Sequence, residues 1–229
     1  MPGRSIALLA ALAAAFSGCG SSSSSAPVSK QKQASAFPSE AELLTLIKSR
    51  VEAERATGIV LAVREADGTR TVVSYGDPGP GAQPLDAKSV FEIGSISKVF
   101  TGILLAEMAG RGEVELVDPI QKHAHEGVRI PSRGESAIRL IDLATHSSGL
   151  PRLPTNLLPA KMENPYVDYG ESQLHEFLSG YALPRDVGAQ QEYSNLGTGL
   201  LGHLLAKVGG ASWETLVANR ILKPLGMQM

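Results

Sequence analysis

The first apolar pattern in the folded part of the chain is helical. Ser39 and Glu42 have the spacing of a capping box, in which each side chain accepts a hydrogen bond from the other residue's backbone. Four apolar residues behind this cap fall on one helical face: Leu43, Leu44, Ile47 and Val51. Similar spacing predicts five later helices, near residues 97–111, 138–145, 172–179, 196–208 and 212–222. Gly209-Gly210 is expected to end the fourth of these, and Ser212 to cap the fifth.

A different pattern stands between the first helix and the later ones. Residues 57–63 and 71–75 are rich in β-branched and apolar side chains and flank the turn dipeptide Asp67-Gly68. One hairpin at the front and helices behind it predict an α+β fold. Because an isolated hairpin is only marginally stable, we expect either that it packs only on helices or that its partner strands are not in this chain.

Composition limits the class of protein. The chain has 229 residues, of which 43% are hydrophobic and 19% charged, with 24 glycines and 14 prolines. These values exclude a collagen, a coiled coil, a disordered tail and a polytopic membrane protein. The formal net charge is −2, so no basic field indicates a nucleic-acid partner. The single cysteine excludes a disulfide framework and a cysteine-based zinc site.

The first residues have the pattern of an export signal. Arg4 precedes the apolar run 6–16, which is too short to span a bilayer as a helix. Small residues then lead to Cys19, an arrangement that resembles a bacterial lipoprotein signal, in which the thiol is lipidated. The resemblance implies an exported lipoprotein, anchored to a membrane on the periplasmic or cell-surface side. The alternative is a plain secretory signal with an incidental thiol. Three segments are predicted: a signal peptide over 1–18, a Ser-rich tether over 19–38 and a folded domain over 39–229.

The candidate chemistry begins where a short apolar run meets a glycine and then a helix. Ser95 follows Gly94 at the start of that predicted helix, where free N–H groups and the helix dipole favour a developing oxyanion. Lys98 lies three residues later, on the same face and within hydrogen-bonding reach of Ser95. Partial desolvation beside the apolar face of the helix would suit this lysine to act as a base for the serine. That apolar face is predicted to comprise Val99, Phe100, Ile103, Leu104 and Met108.

A Ser-x-x-Lys spacing arises often by chance, and Ser29 and Lys32 also have it. Context favours Ser95, because it alone stands between an apolar strand-like run and an amphipathic helix. A second element strengthens this choice. Tyr193 and Asn195 lie at the start of another predicted helix, and two residues that far apart in an extended segment point to the same side. A tyrosine can exchange a proton, and an asparagine amide can hold a substrate carbonyl and N–H.

Together, Ser95-x-x-Lys98 and Tyr193-x-Asn195 resemble the motifs of the serine β-lactamase and penicillin-binding-protein superfamily, and most closely its class C β-lactamase branch. The likeness continues through residues 138–151, 196–210 and 224–227. It implies a β-lactamase/transpeptidase-like fold, with a helical region plus an antiparallel sheet. It also implies a serine hydrolase that acts on β-lactam, D-Ala-peptide or ester carbonyls. No cofactor, metal or nucleic-acid partner is implied.

The resemblance implies a role for each side chain as well. Ser95 would attack the carbonyl and form an acyl-enzyme, and Lys98 would accept or relay its proton. Tyr193 would exchange protons with the leaving group, and Asn195 would orient the acyl side chain. Whether Lys98 or Tyr193 is the true base stays open at this point.

One feature of the branch has no counterpart in the sequence. Its members carry a third motif, Lys/His-Ser/Thr-Gly, on a strand that further strands follow. Downstream of Asn195 the only approximation is Lys207-Val208-Gly209, which has valine where a hydroxyl belongs. We therefore expect a C-terminally truncated member, without the sheet strands that would pair with its hairpin, and inactive or nearly so. The alternatives are a non-hydrolytic lipoprotein that binds β-lactams or peptidoglycan peptides, or an inactive fragment.

The histidines give weaker predictions. His146 invites a catalytic-triad interpretation, but a structural histidine in a turn is favoured. His123, His125 and Glu126 have the composition of a metal site, yet such a cluster in a polar loop is usually solvated, so no metal is predicted. Two further histidines stand alone on predicted helices and carry no hypothesis: His175 and His203.

Overall fold

The computed structural model describes residues 35–227. The predicted signal peptide, Cys19 and most of the predicted tether lie outside these described residues. The chain divides into two compact units, one up to Val90 and one from Phe91 onward. Within the described part, none of the helices combines the length and the apolar character needed to cross a bilayer.

The N-terminal unit contains one helix and one hairpin: α1 (Glu40–Glu52), β1 (Gly58–Arg64) and β2 (Arg70–Gly76). The predicted capping box of α1 is present. The backbone N–H of Ser39 donates to the Glu42 carboxylate at 2.8 Å, and the backbone N–H of Glu42 donates to Ser39 Oγ at 3.4 Å. These bonds satisfy donors that have no acceptor within the helix, which fixes where α1 begins.

The two strands are antiparallel, and Gly58 pairs with Gly76. Gly76 has a φ of 115°, and a Cβ there would lie 2.3 Å from the carbonyl oxygen of Thr57, so only glycine fits. A small core joins the hairpin to α1 and contains Leu43, Ile47 and Val73. The hairpin therefore packs on a helix, which is one of the two alternatives that the sequence left open.

The C-terminal unit is helical, as the periodicity predicted. Its helices are α2 (Ser97–Gly110), α3 (Leu140–Ala144), α4 (Glu171–Gly180), α5 (Asn195–Gly209) and α6 (Trp213–Val217). Short turns of 3-10 helix cover Gly94–Ile96 and Ile120–Lys122, and a π-helical turn over Ala218–Leu222 continues α6. Helix α5 packs against α2, α3 and α6. Its core residues are Leu196, Leu200, Leu201, Leu204 and Leu205, all buried.

Helix α2 buries only part of its predicted apolar face. Leu104 and Met108 are fully buried. Phe100 packs against the same core, whereas Val99 and Ile103 are 58% and 41% exposed. The helix is therefore apolar on two sides, and only one of them contacts the core of the unit.

Candidate active site

Ser95 occupies the second position of the 3-10 turn that leads into α2. The first hydrogen bond of this turn runs from the N–H of Ile96 to the carbonyl oxygen of Ile93, at 3.1 Å. The N–H of Ser95 therefore precedes the first intrahelical donor and has no acceptor within the turn. Gly94, with a φ of 52°, sets the backbone direction that presents Ser95 at the surface.

Ser95 lies between an amine and a phenol. Lys98 Nζ donates to Ser95 Oγ at 3.1 Å, since one turn of helix places the two residues on the same face. Tyr193 Oη shares a hydrogen bond of 2.6 Å with Ser95 Oγ, across 98 residues of sequence. The structure thus brings together the three residues that the sequence predicted as catalytic. Ser95 is exposed and Tyr193 is 37% exposed, so the hydroxyl is open to a substrate.

Cations surround the phenol of Tyr193. Lys98 Nζ lies 4.8 Å from the ring centroid, and the guanidinium carbon of Arg152 lies 5.1 Å from it. Hydrogen bonding with Lys98 is the largest cause that lowers the pKa of Tyr193, followed by the hydrogen bond with Ser95. The charges of Lys98 and Arg152 lower the pKa further, because positive charge stabilises the phenolate. These contacts favour the phenolate, which is the form of Tyr193 that can accept a proton.

The backbone around Tyr193 is held by His146. The imidazole Nδ1 accepts a hydrogen bond from the N–H of Ser194 at 3.2 Å, and the carbonyl oxygen of His146 accepts one from the N–H of Glu192 at 2.8 Å. The rings of His146 and Tyr193 lie 4.7 Å apart, centroid to centroid. Burial lowers the pKa of His146, and the charge of Lys98 lowers it further, so the imidazole is neutral and able to accept at pH 7. His146 therefore contacts the ring of Tyr193 and the backbone on both sides of it, as a structural histidine.

Asn195 begins α5, directly after the N-cap residue Ser194. Its amide oxygen is buried and has no hydrogen-bond partner among the described residues. Because a buried unpaired amide is costly, this oxygen is suited to a ligand donor. Asn195 and Lys98 both line a cavity of about 320 Å³. The other side chains and glycines around this cavity are Ser97, Thr101, Thr198, Gly199, Gly202, His203, Trp213 and Glu214.

Sequence reasoning missed Arg152. Its carbonyl oxygen accepts hydrogen bonds from the N–H groups of Asn195 and Leu196, at 3.0 and 3.2 Å, and its guanidinium lies beside Tyr193. The residue follows Leu150-Pro151, the end of a segment that carries the family likeness, but an arginine there has no motif of its own. Only tertiary proximity to Tyr193 identifies it.

The remaining candidates lie elsewhere. Lys207, in the weak approximation to a third motif, is near the end of α5, where its Nζ donates to the carbonyl oxygens of His123 and Ala124. His123 Nε2 is 3.0 Å from Asp118 and does not join His125 in a cluster. His125 instead lies beside His175 and His203.

Cavity size alone would point to the wrong place. A larger cavity, of about 700 Å³, lies in the N-terminal unit beside Val51, Tyr75 and Asp77. No lysine or histidine lines it, and its one serine, Ser74, donates its hydroxyl hydrogen to the carbonyl oxygen of Leu85. The arrangement at Ser95 is therefore the better candidate, because chemistry and not volume defines a nucleophile's site.

Comparison with known proteins decides the family. A protein-family model described as Beta-lactamase matches residues 43–228. The chain belongs to the beta-lactamase family. Its relatives include the D-alanyl-D-alanine-carboxypeptidase/endopeptidase AmpH of Escherichia coli (strain K12), which is 36% identical over 176 residues. That match covers 76% of this chain and 44% of AmpH. A Beta-lactamase of the same organism is 33% identical over 143 residues, covering 62% of this chain and 35% of the relative.

Solved structures agree on the fold. A beta-lactamase/D-alanine carboxypeptidase from Yersinia pestis, complexed with citrate, superposes with a TM-score of 0.68 at 30% identity, over 82% of this chain and 55% of that one. A class C beta lactamase from Rhodobacter sphaeroides gives a TM-score of 0.64 at 28% identity, over 80% of this chain and 48% of that one. The predicted β-lactamase/transpeptidase-like fold is confirmed. This beta-lactamase family member spans about half the length of the relatives it matches.

Proposed function

We propose that this beta-lactamase family member uses Ser95 as a nucleophile toward the carbonyl of a β-lactam or of a related D-alanyl peptide. The observation that carries the proposal is the position of Ser95 Oγ, 3.1 Å from Lys98 Nζ and 2.6 Å from Tyr193 Oη. A serine hydroxyl is a weak nucleophile unless a neighbouring group removes its proton. The names of the relatives, β-lactamase and D-alanyl-D-alanine carboxypeptidase, supply the substrate class.

The geometry favours Tyr193 as the group that takes the proton. Lys98 Nζ donates to Ser95 Oγ, so the hydrogen of the serine hydroxyl is free to point toward Tyr193 Oη. The lowered pKa of Tyr193 makes its phenolate accessible. Ser95 Oγ would then bond to the carbonyl carbon while its proton passes to Tyr193. When the amide C–N bond breaks, Tyr193 returns that proton to the leaving nitrogen.

Two further groups are assigned to substrate binding. The N–H of Ser95 would donate to the oxyanion that forms on the carbonyl oxygen. The unpaired amide oxygen of Asn195 would accept from an N–H of the acyl side chain, which also satisfies a buried polar atom. The assignment of Asn195 puts the acyl side chain beside the cavity that Lys98 and Asn195 line.

Intact-protein mass spectrometry after mixing with benzylpenicillin tests the proposal. Opening of the β-lactam ring releases no fragment, so acylation adds the whole mass of the drug to the chain. We expect this adduct on the unmodified chain and none on Ser95→Ala. Ser29→Ala is the matched control, since Ser29 also has a lysine three residues later, and it should keep the adduct. Equal labelling of Ser95→Ala would refute the proposal.

Turnover is a separate measurement, because a chain that lacks the third motif is expected to be inactive or nearly so. Hydrolysis of a chromogenic cephalosporin, a D-alanyl-D-alanine peptide and a short-chain ester separates the alternatives. A rate that Ser95→Ala abolishes supports a hydrolase, and the fastest of the three substrates gives its class. A stable adduct without turnover supports a penicillin-binding lipoprotein. The absence of both adduct and turnover would support an inactive fragment and would overturn the proposed function.

We also propose that Cys19 carries a lipid that anchors the domain at a membrane surface. The support is the sequence alone: an apolar run, small residues and then the one cysteine. Mass analysis of the mature N-terminus after expression in a bacterial host tests it. We expect a diacylated Cys19 and recovery in the detergent phase. A protein that keeps its unmodified thiol and stays in the aqueous phase would contradict the anchor.

A further inference from the structure

Three of the five histidines of the chain converge at one place, and one of them, His203, also lines the cavity beside Lys98 and Asn195. His125 follows the 3-10 turn Ile120–Lys122, His175 lies in α4 and His203 lies in α5. One ring nitrogen of each lies within 4.8 Å of the other two. The ring centroid of His125 is 5.0 Å from that of His175 and 5.4 Å from that of His203. All three residues are half-buried.

One ring of this cluster has a free ligand atom. Nε2 of His203 is buried and has no hydrogen-bond partner among the described residues. Its other nitrogen, Nδ1, faces the carboxylate of Glu171 at 3.8 Å. A carboxylate that accepts a hydrogen bond from the non-ligating nitrogen is the usual companion of a metal-binding histidine, because it orients the ring and raises its basicity. Glu171 lies on the side of the ring where such a bond would form, although 3.8 Å is longer than a hydrogen bond.

The segment that carries His125 is tied to the helix that carries His203. Lys207 lies one turn after His203 on α5, and its Nζ donates to the carbonyl oxygens of His123 and Ala124 at 3.1 and 2.6 Å. These bonds fix the backbone immediately before His125. Three elements that are distant in sequence thus hold their imidazoles toward one point.

We propose that His125, His175 and His203 together bind a divalent transition-metal ion, and that Zn²⁺ is the ion they fit best. Imidazole nitrogen is a preferred ligand of zinc, copper and nickel, and three protein ligands leave a fourth tetrahedral position for water. The site is separate from the proposed nucleophile, since Ser95, Lys98 and Tyr193 are not among its ligands. Its role is to join α4, α5 and the segment around His125.

The spacing is close to that of a tetrahedral site. Nitrogens about 2.0–2.1 Å from Zn²⁺ lie about 3.3 Å from one another. The three ring nitrogens lie within 4.8 Å of one another, so binding of the ion would draw them closer together. Glu171 lies on the first turn of α4, and its side chain is 64% exposed. Its carboxylate would offset part of the charge of the ion while it remains hydrated.

Calorimetric titration of the full chain with ZnCl₂ tests this site. The protein is made without a polyhistidine tag, stripped with chelator, and carries Cys19→Ser so that the thiol is not a ligand. We expect saturable binding of one equivalent, and a visible spectrum typical of tetrahedral coordination when Co²⁺ replaces Zn²⁺. At a Zn²⁺ concentration 100-fold above Kd, the melting temperature should rise by about 5–10 °C, because the ion binds only the folded chain.

Single substitutions locate the ligands. His175→Ala and His125→Ala should each weaken binding by about 100-fold or more, since even an outer partner of a ligand contributes about 10–100-fold. His123→Gln removes a histidine outside the cluster and should leave the affinity unchanged. Melting in chelator shows whether each variant folds. Absence of saturable binding to the parent chain, or equal affinity in His175→Ala, would overturn the proposal.

Discussion

Nδ1 of His146 accepts a hydrogen bond from the backbone N–H of Ser194 at 3.2 Å. Ser194 follows Tyr193. The carbonyl oxygen of His146 accepts a hydrogen bond from the N–H of Glu192, which precedes Tyr193. One histidine therefore holds the backbone on both sides of the phenol. It does so from a strained conformation, because its φ is 61°.

His146→Ala should slow the formation of the acyl adduct by about 10–100-fold, since it loosens the segment that presents Tyr193, and small displacements of a reacting group are costly. The measurement is the rate of adduct formation with benzylpenicillin across pH, with the melting temperature determined in parallel. The parent chain should itself lose rate only below the ordinary histidine range, because the pKa of His146 is lowered and a protonated Nδ1 cannot accept from Ser194.

His146→Asn separates positioning from backbone strain. Asparagine tolerates positive φ better than alanine and brings a side-chain acceptor of its own. We expect it to recover part of the rate and to remove the fall in rate on acidification that belongs to the imidazole. An unchanged rate in His146→Ala would show that His146 does not position Tyr193.

Arg152→Gln should shift the acid limb of the adduct-formation profile to higher pH. The guanidinium lies 5.1 Å from the ring of Tyr193 and helps to lower the pKa of the phenol, so its removal raises that pKa. Below the plateau, adduct formation should slow by about two- to fivefold, as expected for loss of an exposed cation–π contact. On the plateau the two proteins should react equally.

The charge-conserving variant Arg152→Lys is the control for this effect, and its profile should stay close to that of the parent chain. A uniform loss of rate at all pH values in Arg152→Gln, with no shift of the limb, would contradict an effect through the pKa of Tyr193. It would indicate instead that the side chain contacts the substrate.

Local signals predicted much of the fold, because helix ends are decided by neighbouring residues. Ser39 and Ser212 cap α1 and α6, and Gly210, with a φ of 65°, ends α5, as expected. The pairing of Ser95 with Lys98 also followed from their spacing together with the apolar run before them and the amphipathic helix after them. The contact between Ser95 and Tyr193 did not, and came only from resemblance to a family.

Features that depend on packing were missed. Periodicity showed that Val99 and Ile103 belong to an apolar stripe of α2, but not which side of the helix the core covers. His175 and His203 lie on different helices, 28 residues apart and without a shared motif, so nothing local indicated that their rings meet. Tertiary structure is the only source of that information.

Asp118→Asn should reduce stability most at neutral pH and progressively less in acid. The carboxylate accepts from the N–H of Glu115 at 2.9 Å and from Lys122 Nζ at 2.7 Å, and these bonds hold the pKa of Asp118 far below its usual value of 3.8. A depressed pKa stabilises the fold above the unfolded-state pKa and loses that contribution as pH falls. Urea unfolding of both proteins between pH 7 and pH 3 measures the gap between their free energies of unfolding, which should narrow below about pH 4. A gap that stays constant with pH would show that the charge of Asp118 contributes nothing.

Leu205→Ala should lower the free energy of unfolding by about 2–5 kcal/mol, because the side chain is fully buried in the core around α5 and leaves a cavity. Trp213, the only tryptophan of the chain, packs on this core and donates its indole N–H to Thr101 Oγ1 at 3.1 Å. Its fluorescence during urea unfolding therefore reports on the same unit. Leu158→Ala is the matched control, since Leu158 is 84% exposed and should change stability by less than about 0.5 kcal/mol. Equal effects of the two substitutions would contradict the packing of α5 at the centre of this unit.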